Sequence, residues 1–204
     1  MTFPLRPVLL LSLLAAAANA TFFMPMCPLV PGKYPFDFDK FQGDWVLAAS
    51  NDNPVQAAVK CRAVTFPAFA SQEDDKKVGE VLTARVTGTN VADDTPVAFE
   101  TVIQPVVSDK IGSLYIVSRR EGSSEYNAVF KASIIATDYT TFSVTLSCKA
   151  DFDGEAKKFT RTLFAEVWNR KGVTLSKDTM DSLVTLLSSY GVDPSKIKTV
   201  EQCA

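Results

Sequence analysis

The feature that most constrains this chain is a series of short apolar–polar segments between residues 43 and 170, separated at regular intervals by polar or glycine-containing turns. Residues 142–147 alternate apolar and polar side chains, which is the period of a strand with one buried face. Residues 114–117 form a continuous apolar run rich in strand-forming residue types. The pattern predicts eight strands, near residues 43–50, 59–69, 78–88, 96–106, 111–119, 126–137, 142–150 and 158–169. Evenly spaced strands of this kind favour an antiparallel sandwich or a closed barrel.

A different period follows the last strand. Between residues 178 and 190 the apolar side chains recur every three or four positions, at Met180, Leu183, Val184, Leu187 and Tyr190. This spacing predicts one amphipathic helix. Ser176 is a suitable N-cap, and Gly191 is a suitable residue to end the helix. The helix needs an apolar surface to cover, and the outer wall of the strands is the surface available.

The first 20 residues have the pattern of a secretory signal peptide. One positive charge, Arg6, precedes an unbroken apolar run at residues 8–18, and residues 18–20 form a small-x-small cleavage site. The apolar run has about half of the roughly 20 residues that a membrane-spanning helix needs. We therefore expect residues 1–20 to be removed and residues 21–204 to form a single domain. The product is expected to be secreted and extracellular, with no membrane span.

The chain contains four cysteines, Cys27, Cys61, Cys148 and Cys203. An even number of cysteines in an oxidising compartment predicts two disulfides. Four cysteines allow three pairings, and their spacing alone does not choose among them. No Cys-x-x-Cys motif occurs, so neither a redox motif nor a zinc ribbon is expected.

Charge and histidine content exclude several classes of function. The 21 basic and 23 acidic side chains give a net charge of -2, which leaves no basic excess for a nucleic acid partner. The chain contains no histidine, so a Ser-His-Asp triad, a histidine-bound zinc and a haem held by a proximal histidine are excluded. The acidic segment 151–155 is typical of a hairpin turn, since it lacks the further ligands of a calcium loop. We therefore expect neither an enzyme nor a metal site.

Three short motifs stand in a recognisable order along the chain. Residues 38–45 lead through Gly43 and Trp45 into the first predicted strand, and Arg170 ends the last one. Between the sixth and seventh predicted strands stand Thr137, Asp138 and Tyr139. With the terminal helix and the cysteines, this order resembles the lipocalin family. The tail from residue 179 to Cys203 is most similar to apolipoprotein D and its arthropod relatives, which include the bilin-binding and crustacyanin-type pigment proteins.

The resemblance implies an all-β fold, an eight-stranded antiparallel up-and-down β-barrel with one C-terminal α-helix packed on its outside. Gly43 would turn the chain sharply under the barrel, where Trp45 closes the floor and Arg170 lies across the indole ring. Asp138 would accept backbone N–H bonds in its turn, with Tyr139 packed beside it. By analogy with the family, the disulfides are expected to join Cys27 to Cys148 and Cys61 to Cys203.

An eight-stranded barrel of this kind implies a binding cavity for one small hydrophobic molecule. No cysteine is left over for a covalent bond, so the ligand is expected to be held noncovalently and without any cofactor. The aromatic side chains expected to line the cavity are Phe66, Phe99, Tyr115, Phe130, Phe142 and Phe164. The family resemblance favours a carrier of a pigment, a bilin or a carotenoid. The alternatives are a general carrier of retinoids, fatty acids or sterols, and a subunit of a homo- or hetero-oligomeric colour complex.

Overall fold

A computed structural model describes residues 27–51, 57–69, 80–106 and 110–203, so the expected signal peptide lies outside the described residues. Within these ranges the helices with described bounds are α1, Phe38–Phe41, and α2, Lys177–Ser189, with a 3-10 helix at Pro194–Lys196. The strands are β1 Gly43–Asn51, β2 Val59–Phe66, β3 Leu82–Asn90, β4 Pro96–Pro105, β5 Ser113–Arg120, β6 Phe130–Thr137, β7 Phe142–Asp153, β8 Lys158–Arg170 and β9 Ile197–Thr199.

The first eight strands form a closed antiparallel barrel. Each strand pairs with the next along the chain, and β1 closes the barrel by pairing with both β2 and β8. The closing register places Trp45 opposite Val64 on one side and opposite Arg170 on the other. The fold class that the family resemblance implies is thereby confirmed. Closure also removes the exposed sheet edges that an open sheet of this size would present.

The ninth strand was not expected from the sequence. Ala49 pairs with Thr199 and Asn51 with Ile197, at the end of β1 where the pairing with β2 has already stopped. Cys61 lies in this gap, and its backbone N–H donates to the carbonyl of Glu201 at 3.1 Å. The chain after α2 therefore fills the space that the diverging strands leave.

Some strand limits also differ from the prediction. The sixth strand begins at Phe130 rather than near residue 126, because residues 126–129 belong to a loop that bonds back to β5 and β4. The seventh strand continues to Asp153, since Phe152 pairs with Phe159 across the β7–β8 hairpin. Of the predicted third strand, residues 78–79 lie outside the described part of the chain, and β3 starts at Leu82.

Apolar side chains gather in two separate clusters, one inside the barrel and one outside it. The inner cluster fills one end of the barrel and is built around Trp45, Trp168 and the phenylalanines near α1. In the outer cluster, Leu183 and Leu187 of α2 pack on Val144 and Val167 of the barrel wall. The position of the helix on the outside of the barrel is therefore confirmed. No helix in the described ranges is both long and apolar enough to cross a bilayer.

The two ends of α2 follow from its flanking residues. The Ser176 side chain accepts the N–H of Thr179 at 3.2 Å, which satisfies one of the free donors of the first turn. Gly191 follows the helix with a φ of 82°, a left-handed conformation that glycine adopts without strain.

Two disulfides fasten the ends of the chain to the barrel. Cys27 is joined to Cys148 and Cys61 to Cys203, with Cα–Cα distances of 5.5 and 5.1 Å. The first ties the segment before α1 to β7, and the second ties the C-terminal tail to β2. This is the pairing that the family resemblance implies.

Candidate ligand-binding site

The floor of the barrel is built around Trp45. Its ring is 1% exposed, stacks on Phe41 with centroids 4.8 Å apart, and donates its indole N–H to the Phe41 carbonyl at 2.9 Å. The guanidinium carbon of Arg170 lies 4.0 Å from the Trp45 ring centroid. Gly43 has a φ of 99°, and a Cβ there would lie 3.1 Å from the Arg170 side chain. The floor therefore needs both the glycine conformation and its missing side chain.

Arg170 connects the floor to two turns. Its guanidinium donates to the carbonyls of Tyr139, Gln42 and Lys40 at 2.8, 2.6 and 2.7 Å. Burial lowers the pKa of Arg170, and the nearby carboxylates of Asp138 and Asp44 act in the opposite direction. Because the ordinary pKa of an arginine side chain lies far above neutral pH, the guanidinium stays charged there.

Asp138 organises the turn between β6 and β7. One carboxylate oxygen accepts the N–H groups of Thr140, Thr141 and Phe142 at 3.1, 2.8 and 3.0 Å. Burial would raise the pKa of Asp138, but the hydrogen bonds from Thr141 and from these N–H groups outweigh it and hold the pKa below its ordinary value. The carboxylate is therefore ionised when the turn is formed.

The residues on either side of Asp138 fasten the turn to the barrel and to α1. The Thr137 hydroxyl donates to the Phe142 carbonyl at 2.6 Å and accepts the Tyr139 N–H at 2.9 Å. The Tyr139 hydroxyl accepts the N–H of Asp37 at 3.0 Å. The motif residues thus gather at the closed end of the barrel, and Trp45 alone among them faces the space above.

Above Trp45 the barrel encloses a cavity of about 650 Å³, which we call the barrel cavity. Its volume lies within the range of roughly 300–1,000 Å³ that small-molecule sites occupy. Inward-facing side chains from all eight strands line it, together with residues 127 and 128 of the loop before β6. Its aromatic members are Phe41, Trp45, Phe66, Phe99, Phe130, Phe164 and Trp168. Both tryptophans of the chain therefore face this cavity.

Four of the six aromatic residues expected to line the cavity do so, namely Phe66, Phe99, Phe130 and Phe164. Tyr115 does not, and that placement was wrong. Its neighbours Leu114 and Ile116 line the cavity, so the alternation of the strand turns Tyr115 outward, where it is 44% exposed. The continuous apolar run of residues 114–117 contains no signal that distinguishes its two faces.

The placement of Phe142 was also wrong, for a different reason. Phe142 belongs to the apolar face of β7, and that face packs against α2 in the outer cluster. The polar face of the same strand turns inward, so Thr145 and Ser147 line the cavity. A strand covered by a helix on its outer side can reverse the usual rule that the apolar face points into the barrel.

Charged side chains in the cavity wall were missed by the sequence analysis. Arg62 on β2 and Glu166 on β8 form an ion pair at 3.0 Å, which we call the wall pair. The other Glu166 oxygen accepts the indole N–H of Trp168 at 3.1 Å, and the Arg62 guanidinium lies 5.6 Å from the Trp168 ring centroid. A second pair, between Lys149 and Asp151 at 2.8 Å, lies further along β7. Each charge that lines the cavity thus has a partner of opposite sign.

The rim of the cavity is held by the loop before β6. Asn127 accepts the N–H of Ser118 through its side chain and donates its own N–H to the Ser118 carbonyl, both at 2.8 Å. The preceding Tyr126 donates its hydroxyl to Glu100 at 2.9 Å, and Arg119 donates to the same carboxylate at 2.8 Å. These bonds from Arg119 and Tyr126 hold the pKa of Glu100 below its ordinary value.

The sequence matches no family model and no curated protein. Insecticyanin from the tobacco hornworm Manduca sexta is 16% identical, with a TM-score of 0.62 over 89% of this chain and 88% of its own. Lobster apocrustacyanin A1 is 17% identical, with a TM-score of 0.59 over 88% and 94%. The amine-binding protein of Rhodnius prolixus, solved with tryptamine, is 16% identical, with a TM-score of 0.62 over 85% of each chain. The similarity covers 85–89% of this chain, which therefore has the lipocalin fold.

Proposed function

We propose that the protein binds and carries a small hydrophobic molecule in the barrel cavity. The observation that carries this proposal is a cavity of about 650 Å³ walled by seven aromatic side chains above a sealed floor. Covering about 300 Å² of apolar ligand surface gives roughly 7 kcal/mol before the costs of ordering. Micromolar binding needs about 8 kcal/mol net, so a larger buried area, close packing or hydrogen bonds in the cavity must add to this burial. The role is one of binding, which is supported by the fold shared with an amine-binding protein.

The ligand is held without a covalent bond. All four cysteines are in disulfides, so none is left in the cavity to attach a chromophore. A single-step extraction with organic solvent should therefore remove the ligand completely.

A pigment, a bilin or a carotenoid, is the ligand class that we favour. The proposal is supported by the fold shared with insecticyanin and apocrustacyanin and by the resemblance of the C-terminal tail to pigment-binding lipocalins. The inward side chains of β7 from Thr145 to Asp151 span about 20 Å along the strand. A bilin folded on itself fits this depth, whereas an extended carotenoid is longer and would project from the mouth.

A general carrier of retinoids, fatty acids or sterols is the second candidate. For retinol and the sterols it is favoured by the charges of the cavity wall, which in the described part of the chain are paired with one another, because these ligands carry no charge that needs a counter-ion. The protein could also be one subunit of an oligomeric colour complex, which requires a protein partner as well as a pigment. Native mass spectrometry distinguishes this oligomer from a monomeric pigment carrier.

We also propose that residues 21–204 form a single domain that is secreted after removal of residues 1–20. Two disulfides suit an oxidising compartment, which supports this reading. Expression in cultured eukaryotic cells should place the protein in the medium with Thr21 as its first residue, as read by mass spectrometry. Retention inside the cells with Met1 still present would contradict it.

The ligand is tested by spectroscopy of the purified protein. Protein taken from its source should show a visible absorption band that solvent extraction removes, if the ligand is a pigment. A colourless protein whose tryptophan emission falls on addition of retinol would support the general carrier. Trp45 and Trp168 both line the cavity, so their emission reports its occupation directly. Emission that no hydrophobic molecule alters would overturn the proposed function.

A further inference from the structure

We propose that the part of the ligand that reaches the wall pair is a neutral oxygen, an alcohol or a carbonyl, that accepts an N–H from Arg62. The inference rests on the proposed function and adds to it the chemical class of the recognised group. Its basis is the way the barrel places one arginine in an otherwise largely apolar wall with donors to spare and no net charge.

A β-bulge aims Arg62 into the cavity. The register of β2 against β3 shifts between Lys60 and Ala63, so two residues of β2 fit opposite one residue of β3. Cys61 takes a φ of 56° in this bulge and is joined to Cys203, while Arg62 lines the cavity. Gly88 stands beside the bulge, and a Cβ there would lie 3.4 Å from the Arg62 Cγ. The Cys61–Cys203 disulfide thus fixes the bulge covalently, and the missing side chain of Gly88 leaves room for Arg62.

The Arg62 guanidinium keeps donors available for a ligand. A guanidinium has five N–H groups. Within the described part of the chain, the Arg62 guanidinium donates one hydrogen bond, from Nη2 to Glu166 at 3.0 Å. The side chain is 18% exposed and lines the cavity, so a ligand in the cavity can approach its remaining N–H groups. A ligand oxygen there would satisfy donors that are otherwise poorly paired.

The charge of the wall pair selects a neutral group. Glu166 is 13% exposed and already compensates the charge of Arg62 at 3.0 Å. A ligand carboxylate at Arg62 would therefore bring a second negative charge beside Glu166, and a ligand ammonium at Glu166 would bring a second positive charge beside Arg62. Either charge would be removed from water without a partner of its own, which is costly in a part-buried site. An alcohol or carbonyl oxygen accepts the same N–H without that cost.

The inference is tested with three ligands that share one chain and differ at its end. Dodecanol, dodecanoic acid and dodecylamine are each titrated against protein loaded with the neutral fluorescent probe N-phenylnaphthylamine. Dodecanol should displace the probe from the wild-type protein at a concentration about tenfold lower than either charged ligand.

Two variants should change this order of competitors, one in favour of the acid and the other in favour of the amine. Glu166→Gln keeps an acceptor for Trp168 and Arg62 but leaves the arginine charge uncompensated, so dodecanoic acid should become the best competitor. Arg62→Met removes the positive charge beside Glu166, so dodecylamine should gain relative to dodecanoic acid, and dodecanol should lose its advantage. The matched control is Arg85→Met, which breaks the exposed ion pair with Glu121 on the outside of the barrel and should leave the order unchanged.

The outcomes separate this inference from the proposed function. A probe that fails to bind the wild-type protein would overturn the proposed function itself. A probe that binds, with the same competitor order in wild-type protein and in Glu166→Gln, would overturn the role of the wall pair and leave the carrier function standing. If Arg62→Met does not fold, as judged by far-ultraviolet circular dichroism, Glu166→Gln decides the question alone.

Discussion

At the scale of single residues, Arg170 does more than cover the floor of the barrel. Its guanidinium reaches carbonyls of Gln42 and Lys40, 128 and 130 residues earlier in the chain, as well as the carbonyl of Tyr139. Only a planar fork with several donors can satisfy these three acceptors and still lie flat on an indole ring. The side chain therefore joins α1, the first strand and the β6–β7 turn at one point.

Arg170→Lys tests this role. A lysine keeps the charge but cannot donate to three separated carbonyls, so the free energy of unfolding should fall by about 2–3 kcal/mol. Urea unfolding followed by tryptophan fluorescence measures the change, since Trp45 lies against the substituted group. Arg85→Lys, at an exposed ion pair, is the control and should change stability by less than about 0.5 kcal/mol. Equal unfolding midpoints for the two variants would contradict the role.

The carboxylate of Asp138 should make the stability of the protein depend on pH. Its pKa is lower in the folded protein than the ordinary 3.8, so the ionised form stabilises the fold above that value, and the contribution is lost as pH falls through the folded-state pKa. Asp138→Asn should therefore lower the free energy of unfolding at neutral pH by about 1 kcal/mol. The difference in unfolding free energy between wild type and variant should become smaller as the pH of the experiment falls below 3.8. A gap that stays constant with pH would show that the charge is not involved.

At the scale of the elements, α2 determines the roles of the two faces of the strands that it covers. Its buried residues Leu183 and Leu187 lie against the outer faces of β7 and β8, where Val144, Leu146 and Val167 are at most 2% exposed. The outer face of these strands is therefore covered by the helix, and their inner face lines the cavity. In this arrangement the outer cluster largely stabilises the fold, and the inner face of the same strands binds the ligand.

Leu187→Ala tests the separation. The side chain is fully buried, so its truncation should cost about 2–5 kcal/mol of unfolding free energy. Binding of a hydrophobic probe, measured well below the unfolding temperature, should keep its wild-type dissociation constant. Leu186→Ala, at a half-buried position on the same helix, is the control and should cost less. A dissociation constant that changes with Leu187→Ala would show that the two clusters are coupled.

At the scale of the whole molecule, the barrel is filled at one end and open at the other. The inner cluster of Trp45, Trp168 and the phenylalanines near α1 packs the closed end, and the cavity lies above it. Ser147 stands in the wall of that cavity on β7, opposite Ala132 on one side and Phe164 on the other. The open volume is therefore set by small side chains in the wall as much as by the large ones.

Ser147→Phe should fill part of this volume and weaken probe binding by about tenfold or more, because the ring occupies space that the ligand needs. Isothermal titration with retinol or the naphthylamine probe measures the loss. Ala150→Phe adds the same ring to an exposed position of the same strand and should bind normally. Unchanged binding in Ser147→Phe would mean that the ligand lies elsewhere.

Much of this molecule follows from the order of its residues. Turn residues and alternation locate eight strands, and the three-to-four spacing at residues 178–190 locates α2 to within one residue at each end. These features are local, because backbone sterics and side-chain periodicity act over a few residues. The cysteine pairing needed the family resemblance as well, since spacing alone leaves three choices.

The tertiary structure alone decided which face of each strand looks inward. Alternation in β7 defines two faces, but the presence of α2 on the apolar one turns Thr145 and Ser147 toward the ligand. The wall pair joins residues 104 positions apart, and it exists because β1 closes the barrel between β2 and β8. The strand β9 likewise forms only where β1, still paired with β8, no longer pairs with β2. Periodicity is a property of a few neighbouring residues, whereas closure brings distant segments together, and the chemistry of the cavity is set by closure.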